Sequence, residues 1–358
     1  MIDRWSEKKA WEWYSARPWI TGCNFIPSTT INRVELWQEF EHEKVMRKVR
    51  REVELAASIG FNSFRMGIPF FVWKHQREGF LQRVDSFLDM LEEFGITLMP
   101  VLFNDCSVPR ELYMAPQFGR QRDPVPGYFG GNPVTPFDGT SKVGYIIEDD
   151  RENHPALEAF VRDLASRYGK DPRILMWNVW NEAGNCNRQT MSYPFMKKVF
   201  GWLREMEVTQ PLTADVCGLG GEFPYGYLNK PDYLSLMEEK CIELSDIVTF
   251  HFYGDYTHTV RYMSFLKRFG RPMLNTEWLH RPFRSVIQTH MPLFKEENVG
   301  SYIFGFVNGK SQFHIVWEQI KNLKDIDTRL WMHDIYHSDF TPYNPKEIEV
   351  IQALCLPK

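Results

Sequence analysis

Several features that would directly assign a location or a partner are missing from this sequence. The N-terminal stretch MIDRWSEKKAWEWYSARPW lacks the apolar core that a signal peptide needs. No apolar run approaches the length of a transmembrane helix either. We therefore expect a cytoplasmic protein without a membrane partner.

The sequence also contains few cysteines and no excess of positive charge. The six cysteines form no CxxC pair, so neither a metal site nor a disulfide framework is indicated. Lysine and arginine number 42 against 46 aspartates and glutamates, for a net charge of −4, whereas a nucleic-acid interface would need a basic face. No GxSxG, P-loop or GxGxxG motif is present. We therefore expect no nucleic-acid partner, no bound nucleotide and no serine-hydrolase chemistry.

Aromatic residues, by contrast, are abundant. The chain holds 12 Trp, 15 Tyr and 27 Phe, together 15% of its residues. Many of these rings will pack in the core, but aromatic planes also stack against the apolar faces of sugar rings. The composition is therefore compatible with carbohydrate binding.

A repeating pattern of a strand followed by a helix organises the chain. Near-continuous apolar runs, typical of strands covered on both faces, alternate with segments of helical spacing. Strands are predicted at 19–25, 61–70, 96–105, 174–182, 211–218, 246–255, 271–278 and 299–310. Helices are predicted at 41–60, 81–95, 155–169, 193–207, 259–270 and 285–298, with one more after residue 310.

Eight such units predict the α/β class and a closed (β/α)8 TIM barrel. No boundary for a second domain is visible, so residues 1–358 are expected to form a single catalytic domain. The segment 106–153, rich in proline and glycine, follows the third strand. We predict that it is a long loop over the mouth of the barrel, the end at which the strands finish.

In such a barrel the chemistry takes place at the carboxyl ends of the strands. The polar residues at the predicted strand ends are Asn24, Arg65, Asn104, Asp105, Asn181, Glu182, Asp215, His251, Tyr253, Glu277, Asn308 and Lys310. Glu182 and Glu277 end the fourth and seventh strands, which face each other across a barrel. Either could be an ordinary surface charge, but their positions in the eight-unit pattern favour catalytic roles for both.

Two carboxyl groups about 5–5.5 Å apart would support retaining glycoside hydrolysis, one as an acid and the other as a nucleophile. Arg65 and a tyrosine hydroxyl beside Glu277 would favour its ionised form. Burial against Trp180 would raise the pKa of Glu182. Two structural alternatives remain open, since Arg65 could be a structural ion-pair partner and His251 a core histidine.

A catalytic metal is not predicted. His251, Asp255 and His258 span a strand end and the next loop without tight ligand spacing. The first strand also lacks the His-x-His that metal-dependent barrel hydrolases use. We expect neither a metal nor an organic cofactor.

The order of four short motifs resembles a known family. The stretches FRMG, WNVWNE, HFY and MLNTEW follow one another on the second, fourth, sixth and seventh predicted strands. They are similar to the motifs of retaining glycoside hydrolases of clan A, closest to the cellulase-like family 5. The C-terminal stretch WMHDIYHSDFTPYNPKEIEVI also resembles bacterial proteins labelled as xylanases or cellulases by similarity.

The resemblance implies roles for individual residues. It makes Glu182 the acid/base and Glu277 the nucleophile, with Asn181 bonding the sugar 2-hydroxyl. Arg65 and Tyr253 would hold the nucleophile. The resemblance also implies a sugar subsite near the cleavage point, and we expect His251, Asn104, Asp105, Trp180, Trp278 and Lys310 to contact the substrate.

Two positions depart from the family pattern. The end of the third strand reads FND where a histidine is typical, and Phe304 stands where the eighth strand typically carries tryptophan. Trp278, Trp317 or Trp331 could supply a sugar platform instead. The sugar-recognition residues are therefore expected to differ from those of typical family 5 members.

The resulting hypothesis is a retaining β-glycosidase whose partner is a carbohydrate substrate. The long loop favours an exo-acting enzyme on oligosaccharides or small glycosides. An endo-acting xylanase, mannanase or glucanase remains an alternative, as does a non-catalytic carbohydrate-binding barrel. The sequence leaves the sugar, the linkage and the oligomeric state open.

Overall fold

The computed structural model describes residues 4–134, 142–218 and 233–357. Eight parallel strands form one sheet in the order β5-β4-β3-β2-β1-β8-β7-β6. The strands are β1 (Thr21–Asn24), β2 (Ser63–Gly67), β3 (Thr97–Asn104), β4 (Trp177–Asn181), β5 (Leu212–Ala214), β6 (Val248–His251), β7 (Met273–Trp278) and β8 (Gly300–Phe304). Nearly every strand residue is buried, as the continuous apolar runs predict.

The sheet closes between its two end strands. Val216, just after β5, bridges to Phe250 of β6, and the Val216 amide donates to the Thr249 carbonyl at 3.0 Å. The Thr213 and Thr249 hydroxyls meet at 2.7 Å inside the same junction. The predicted (β/α)8 barrel is therefore confirmed.

Helices surround the strands and cover the outer face of the sheet. The helices of the described residues are α1 (Glu7–Ser15), α2 (Arg33–Trp37), α3 (His42–Ser58), α4 (Phe70–Glu93), α5 (His154–Tyr168), α6 (Tyr193–Glu205), α7 (Leu236–Leu244), α8 (Tyr256–Leu266), α9 (Ile287–Glu296) and α10 (Pro345–Cys355). Helix α3 ends two residues before Gly60, whose φ of 91° suits a residue without a side chain. None of the helices of the described residues is long and apolar enough to cross a membrane.

The differences from the predicted elements are local. Helix α4 begins at Phe70 rather than at residue 81, because two helical segments join across a kink at Gln76. Helix α7 was not predicted, since its nine residues are too few for a clear apolar period. The capping box of Ser235 and Glu238 was the available signal. The predicted C-terminal helix is present as α10.

Candidate active site

A cavity of about 1070 Å³ opens at the carboxyl ends of the strands. Strand-end residues form its base, and the 106–153 segment, of which residues 135–141 lie outside the description, supplies much of its wall. The lining includes seven of the strand-end residues that the sequence singles out, namely Asn24, Arg65, Asn104, Asn181, Glu182, Tyr253 and Glu277. Its size suits a small-molecule site.

Glu277 is held by two donors at the end of β7. Arg65 Nη1 donates to Glu277 Oε1 at 2.7 Å, and the Tyr253 hydroxyl donates to Oε2 at 2.9 Å. Both partners are buried, so the contacts are shielded from water. Arg65 and Tyr253 therefore fix the orientation of the carboxylate.

Arg65 also contacts the ends of three further strands, β1, β4 and β5. Its guanidinium donates to Asn24 Oδ1 at 2.7 Å, to Asp215 Oδ2 at 2.8 Å and to Asn181 Oδ1. Asp215 is fully buried and also accepts from Asn178 at 2.7 Å and from Thr276 at 3.0 Å. We call Asn24, Arg65, Asn181, Asp215 and Glu277 the floor of the site.

Glu182 leaves β4 with a left-handed backbone, φ 47°, which turns its side chain at the strand end. His251 Nδ1 lies 2.8 Å from Glu182 Oε1. The Cys106 thiol donates to Glu182 Oε2 at 2.8 Å, and the Asn185 amide donates to the same oxygen. The carboxylate is therefore as firmly held as that of Glu277, but by different groups.

The two glutamates approach each other above His251. One carboxylate oxygen from each, together with a ring nitrogen of His251, all lie within 4.8 Å of one another. A register shift between β6 and β7 pairs His251 directly with Glu277, which brings Nδ1 to 3.5 Å from Glu277 Oε2. This arrangement gives two carboxyl groups at close range with a histidine between them.

The histidine is held in its charged form. Burial opposes the charge of His251, but the carboxylates of Glu277, Asp215 and Glu182 outweigh it and raise the pKa of His251 to about 10. Asp215 Oδ2 lies 3.6 Å from His251 Nε2. Burial would raise the pKa of Asp215, yet Arg65 and His251 hold that pKa well below its usual range.

The pKa values of the glutamates differ from the expectation. Burial acts to raise the pKa of Glu182, but the hydrogen bond and charge of His251, with Cys106 and Asn185, lower it overall. Burial and the repulsion of Glu182 raise the pKa of Glu277, against the opposing charges of His251 and Arg65. The predicted rise in the pKa of Glu182 is absent because the neighbouring His251 is protonated, and its positive charge stabilises the Glu182 carboxylate.

Glu182, His251 and Glu277 could also be considered as ligands for a metal ion, since each offers one atom in the same small region. Histidine binds a metal only as neutral imidazole, and the raised pKa of His251 opposes that form. The Arg65 cation, bonded to Glu277, repels a second cation at this place. The donor set therefore fits a proton-transfer site better than a metal centre.

Besides His251, four residues expected to contact substrate do not line the cavity. Trp180 directly precedes Asn181, and Trp278 directly follows Glu277, so alternation along a strand points both tryptophans outward to the helices. Trp180 stacks on Phe103 with ring centroids 5.2 Å apart. The indole of Trp278 donates to Ser301 at 3.0 Å.

The other two are engaged in structural contacts. Asp105 is fully buried and accepts hydrogen bonds from Arg188 at 3.0 Å and from Ser192 at 2.6 Å. These contacts bind the segment after β4 to the end of β3. Lys310 pairs with Glu35 instead of facing the cavity. Their polarity marked the strand ends correctly but did not reveal the direction of the side chains.

The remaining candidates lie close to the two glutamates. Asn104 lines the cavity and accepts from Asn181 at 2.7 Å. His251 is fully buried below the carboxylates rather than on the cavity surface. Trp317 lines the cavity, whereas Trp331 stacks on Tyr343 away from it. Of the three proposed tryptophan platforms, only Trp317 is therefore positioned to meet a sugar.

Sequence reasoning missed two contacts of Glu182. Asn185 lies three residues after the glutamate, in a stretch that reads as an ordinary turn. Cys106 comes two residues after β3, and as an isolated cysteine it carried no motif. The only available signal for either residue was its closeness to a strand end.

Comparison with solved structures shows the same fold in glycoside hydrolases. An exo-β-1,4-mannosidase from Opitutaceae bacterium strain TAV5 has 16% identity and a TM-score of 0.57, with 95% of this chain and 60% of that chain covered. A GH5-4 broad-specificity endoglucanase from an uncultured bacterium has 10% identity and a TM-score of 0.56, with 99% and 97% covered. A GH5 xyloglucan-specific endo-β-1,4-glucanase from a metagenomic library, in complex with cellotriose, has 12% identity and a TM-score of 0.52, with 97% and 99% covered.

The chain thus spans about three fifths of the length of the mannosidase and nearly all of the two glucanases. No protein-family model and no curated protein matches the sequence. At these identities the similarity establishes the shared barrel, while activity must be argued from the site.

Proposed function

We propose that residues 1–358 form a retaining β-glycosidase that cleaves β-glycosidic bonds by double displacement. The observation that carries the proposal is the approach of Glu182 and Glu277, since one carboxylate oxygen of each lies within 4.8 Å of the other. Retaining enzymes need carboxyl groups about 5–5.5 Å apart, whereas inverting enzymes leave a gap of about 6.5–9.5 Å for water. The short separation supports the retaining course.

In this mechanism Glu277 attacks the anomeric carbon and forms a covalent glycosyl-enzyme. Arg65 and Tyr253 support that role, because they aim the Glu277 carboxylate and bind both its oxygens. Glu182 protonates the departing oxygen, and it later takes a proton from the water that releases the sugar.

The proton that Glu182 delivers is stored on His251 in the free protein. The hydrogen bond of 2.8 Å between His251 Nδ1 and Glu182 Oε1 provides a direct path for its transfer. Charge that builds on the leaving oxygen in the transition state would draw the proton from the histidine to the carboxylate. The Asp215 carboxylate, 3.6 Å from His251 Nε2, attracts the charge of the protonated histidine from the other side of the ring.

The substrate is proposed to be an oligosaccharide or a small glycoside, attacked at its end. The 106–153 segment supplies one wall of the cavity, and an exo-mannosidase is among the similar structures. The cavity volume of about 1070 Å³ and the two endoglucanases favour an endo-acting enzyme as the second candidate. Both candidates use the same two glutamates.

A panel of aryl β-glycosides tests the proposal. Wild type and Glu277→Ala would be assayed on the glucoside, galactoside, mannoside, xyloside, fucoside and N-acetylglucosaminide. Turnover of one glycoside by wild type only, with the β-anomer released first, is the expected result. Release of the α-anomer would refute the retaining mechanism, and digestion of polysaccharides alone would select the endo-acting candidate.

A further inference from the structure

We infer that the cavity contains a subsite for a sugar that carries an oxyanion, either a uronate carboxylate or a sulfate or phosphate ester. This inference rests on the proposed glycosidase function and specifies its substrate class. It is based on three arginines at the edge of the cavity, Arg33, Arg120 and Arg122, which we call the rim. None of them takes part in the hydrogen bonds that hold the two glutamates.

Arg33 occupies a place that the barrel leaves open for it. It is the first residue of α2, and its guanidinium lies across Gly67, at the end of β2. A Cβ added to Gly67 would lie 2.1 Å from Arg33 Cζ and 2.2 Å from Nε. Gly67 does not have a left-handed φ, so its backbone would suit other residues and its small size serves Arg33.

The position of Gly67 also puts Arg33 near the catalytic groups. Gly67 and Arg65 are two residues apart on β2, so they share a strand face. Although its side chain meets solvent, the surrounding protein and the Arg65 cation lower the pKa of Arg33, while Glu277 acts to raise it. The Arg33 charge thus lies beside the floor without being neutralised by it.

The other charged residues that line the cavity are largely compensated. Glu277 pairs with Arg65, Glu182 with His251, and Glu318 with Lys321. Burial raises the pKa of Glu148 to about 8, so this carboxyl is mostly neutral at pH 7.

The charges of the rim have much weaker partners. Among the described residues, Arg33 makes no hydrogen bond or salt bridge, and Arg122 donates only to the Asn132 amide oxygen, at 3.0 Å. Arg120 contacts Asp123 at 3.2 Å, but both side chains are about 80% exposed, where such a pair is weak. The cavity therefore keeps positive charge at one edge.

The two segments that carry the rim arginines contact each other. Asn32, which precedes Arg33, donates to the Gln121 side chain at 2.9 Å. Gln121 lies between Arg120 and Arg122 in the sequence, so this contact brings the rim residues from two segments together. Guanidinium groups match carboxylate, sulfate and phosphate oxygens in geometry as well as charge.

Aromatic rings beside the rim suit a sugar rather than a free ion. Phe71 and Phe118 both line the cavity, with ring centroids 4.6 Å apart. Their faces would stack on the apolar side of a pyranose while an arginine binds its charged substituent. The combination indicates an anionic glycoside.

The test compares pairs of ligands that differ only in charge. Methyl 1-thio-β-glycosides, which resist hydrolysis, would be titrated into the full chain by calorimetry as uronides and as the neutral hexosides, in the gluco, galacto and manno series. The 6-sulfates and 6-phosphates of the same sugars distinguish the possible sources of the oxyanion. The proteins are wild type, Arg33→Gln, Gly67→Ala and, as a charge-matched control, Arg47→Gln on the exposed face of α3.

We expect the anionic member of at least one pair to bind wild type about tenfold more tightly or better, with the advantage decreasing as salt increases. Arg33→Gln should abolish that advantage, and Gly67→Ala should reduce it by displacing the guanidinium without removing its charge. Arg47→Gln should keep it. Thermal unfolding of each variant checks that the fold is intact.

Equal affinity for both members of every pair, no binding of any anionic member, or an advantage that persists in Arg33→Gln would each overturn the inference. The aryl-glycoside assay keeps this result separate from the proposed function. Hydrolysis without a charge preference would refute the anionic subsite alone. A charge preference without hydrolysis of any aryl glycoside or polysaccharide would refute the glycosidase and keep the subsite.

Discussion

The floor and the rim of the cavity both contain arginine, but the arginines differ in burial and in pairing. On the floor, Arg65 is 4% exposed and its guanidinium donates to side chains from four other strand ends. On the rim, Arg33 contacts solvent and has no partner among the described residues. A buried cation needs paired anions to offset its desolvation cost. A cation at a cavity edge is solvated by water and stays available to bind an anionic ligand.

This contrast separates two functions. The floor is built from strands, whose positions are fixed by the barrel, and its groups orient one another before any substrate arrives. The rim is built from α2 and the segment after β3, which other sequences could replace without disturbing the barrel. We infer that the floor carries the reaction and the rim chooses the sugar.

The largest expected effect comes from removing Glu277, the proposed nucleophile, from the floor. Glu277→Ala should lower kcat/KM on the preferred glycoside by at least about 10⁴-fold, because the proposed glycosyl-enzyme forms on the Glu277 carboxylate. Steady-state kinetics with a sensitive aryl glycoside measures the loss.

Azide provides the matching control. A small anion that enters the space left by Glu277 should restore turnover and yield the α-glycosyl azide, since it attacks from the same face. If azide fails to restore turnover and Glu277→Ala keeps a rate within tenfold of wild type, Glu277 is not the nucleophile. The assignment of the reaction to the floor would then be wrong.

Much of the floor could be predicted from the sequence, because the barrel fixes where a strand ends. The motifs FRMG, WNVWNE and MLNTEW place Arg65, Asn181 and Glu277 at that level, and all three line the cavity. Trp180 and Trp278 were wrongly expected to contact substrate. Strand alternation predicts that each points to the opposite face from its neighbour Asn181 or Glu277.

The rim could not be predicted in the same way. Arg33 is the first residue of a five-residue helix, and nothing in the sequence reveals that its side chain lies across Gly67, which comes 34 positions later. Loop conformation depends on long-range contacts such as that of Asn32 with Gln121. The proposed specificity residues were therefore hidden in the sequence, whereas the proposed catalytic residues were visible.

A second prediction compares two buried aspartates that both pair with an arginine. Asp215→Asn removes charge beneath Arg65 and His251, so it should cost about 3–5 kcal/mol of unfolding free energy and also shift the pH profile of kcat. Asp105→Asn, which weakens the Arg188 contact outside the cavity, should lose stability without shifting that profile. Urea unfolding and pH-rate profiles of both variants give the comparison, and equal shifts would remove Asp215 from the floor.

A third, smaller effect concerns the pH dependence of stability through His251. Its folded pKa of about 10 exceeds the ordinary value of 6.5, so the folded protein binds more protons than the unfolded chain between these values. The stabilisation is complete below about pH 6.5 and is lost as the pH rises through 10. The difference in unfolding free energy between wild type and His251→Gln should therefore shrink by a few kcal/mol from pH 6 to pH 10. A difference that stays constant would mean that His251 is neutral in the folded protein.

The smallest effect is expected at Cys106, which stands between the two regions because it begins the wall segment yet contacts Glu182. Burial and the Glu182 charge raise the pKa of its thiol well above the ordinary value, so the thiol keeps its proton and acts as a donor. Cys106→Ala should lower kcat/KM about tenfold. It should also raise the pKa of Glu182, since a carboxylate that loses a donor is easier to protonate.

Cys106→Ser, which retains a donor of similar size, should recover most of the activity and restore the pH profile. Equal losses in the serine and alanine variants would show that the cysteine matters for packing rather than for its hydrogen bond to Glu182. In that case Cys106 would belong with the wall, and the set of groups that tune Glu182 would reduce to His251 and Asn185, which come from a strand and its adjoining turn. The recovery by serine therefore decides whether the segment after β3 only shapes the cavity or also adjusts its chemistry.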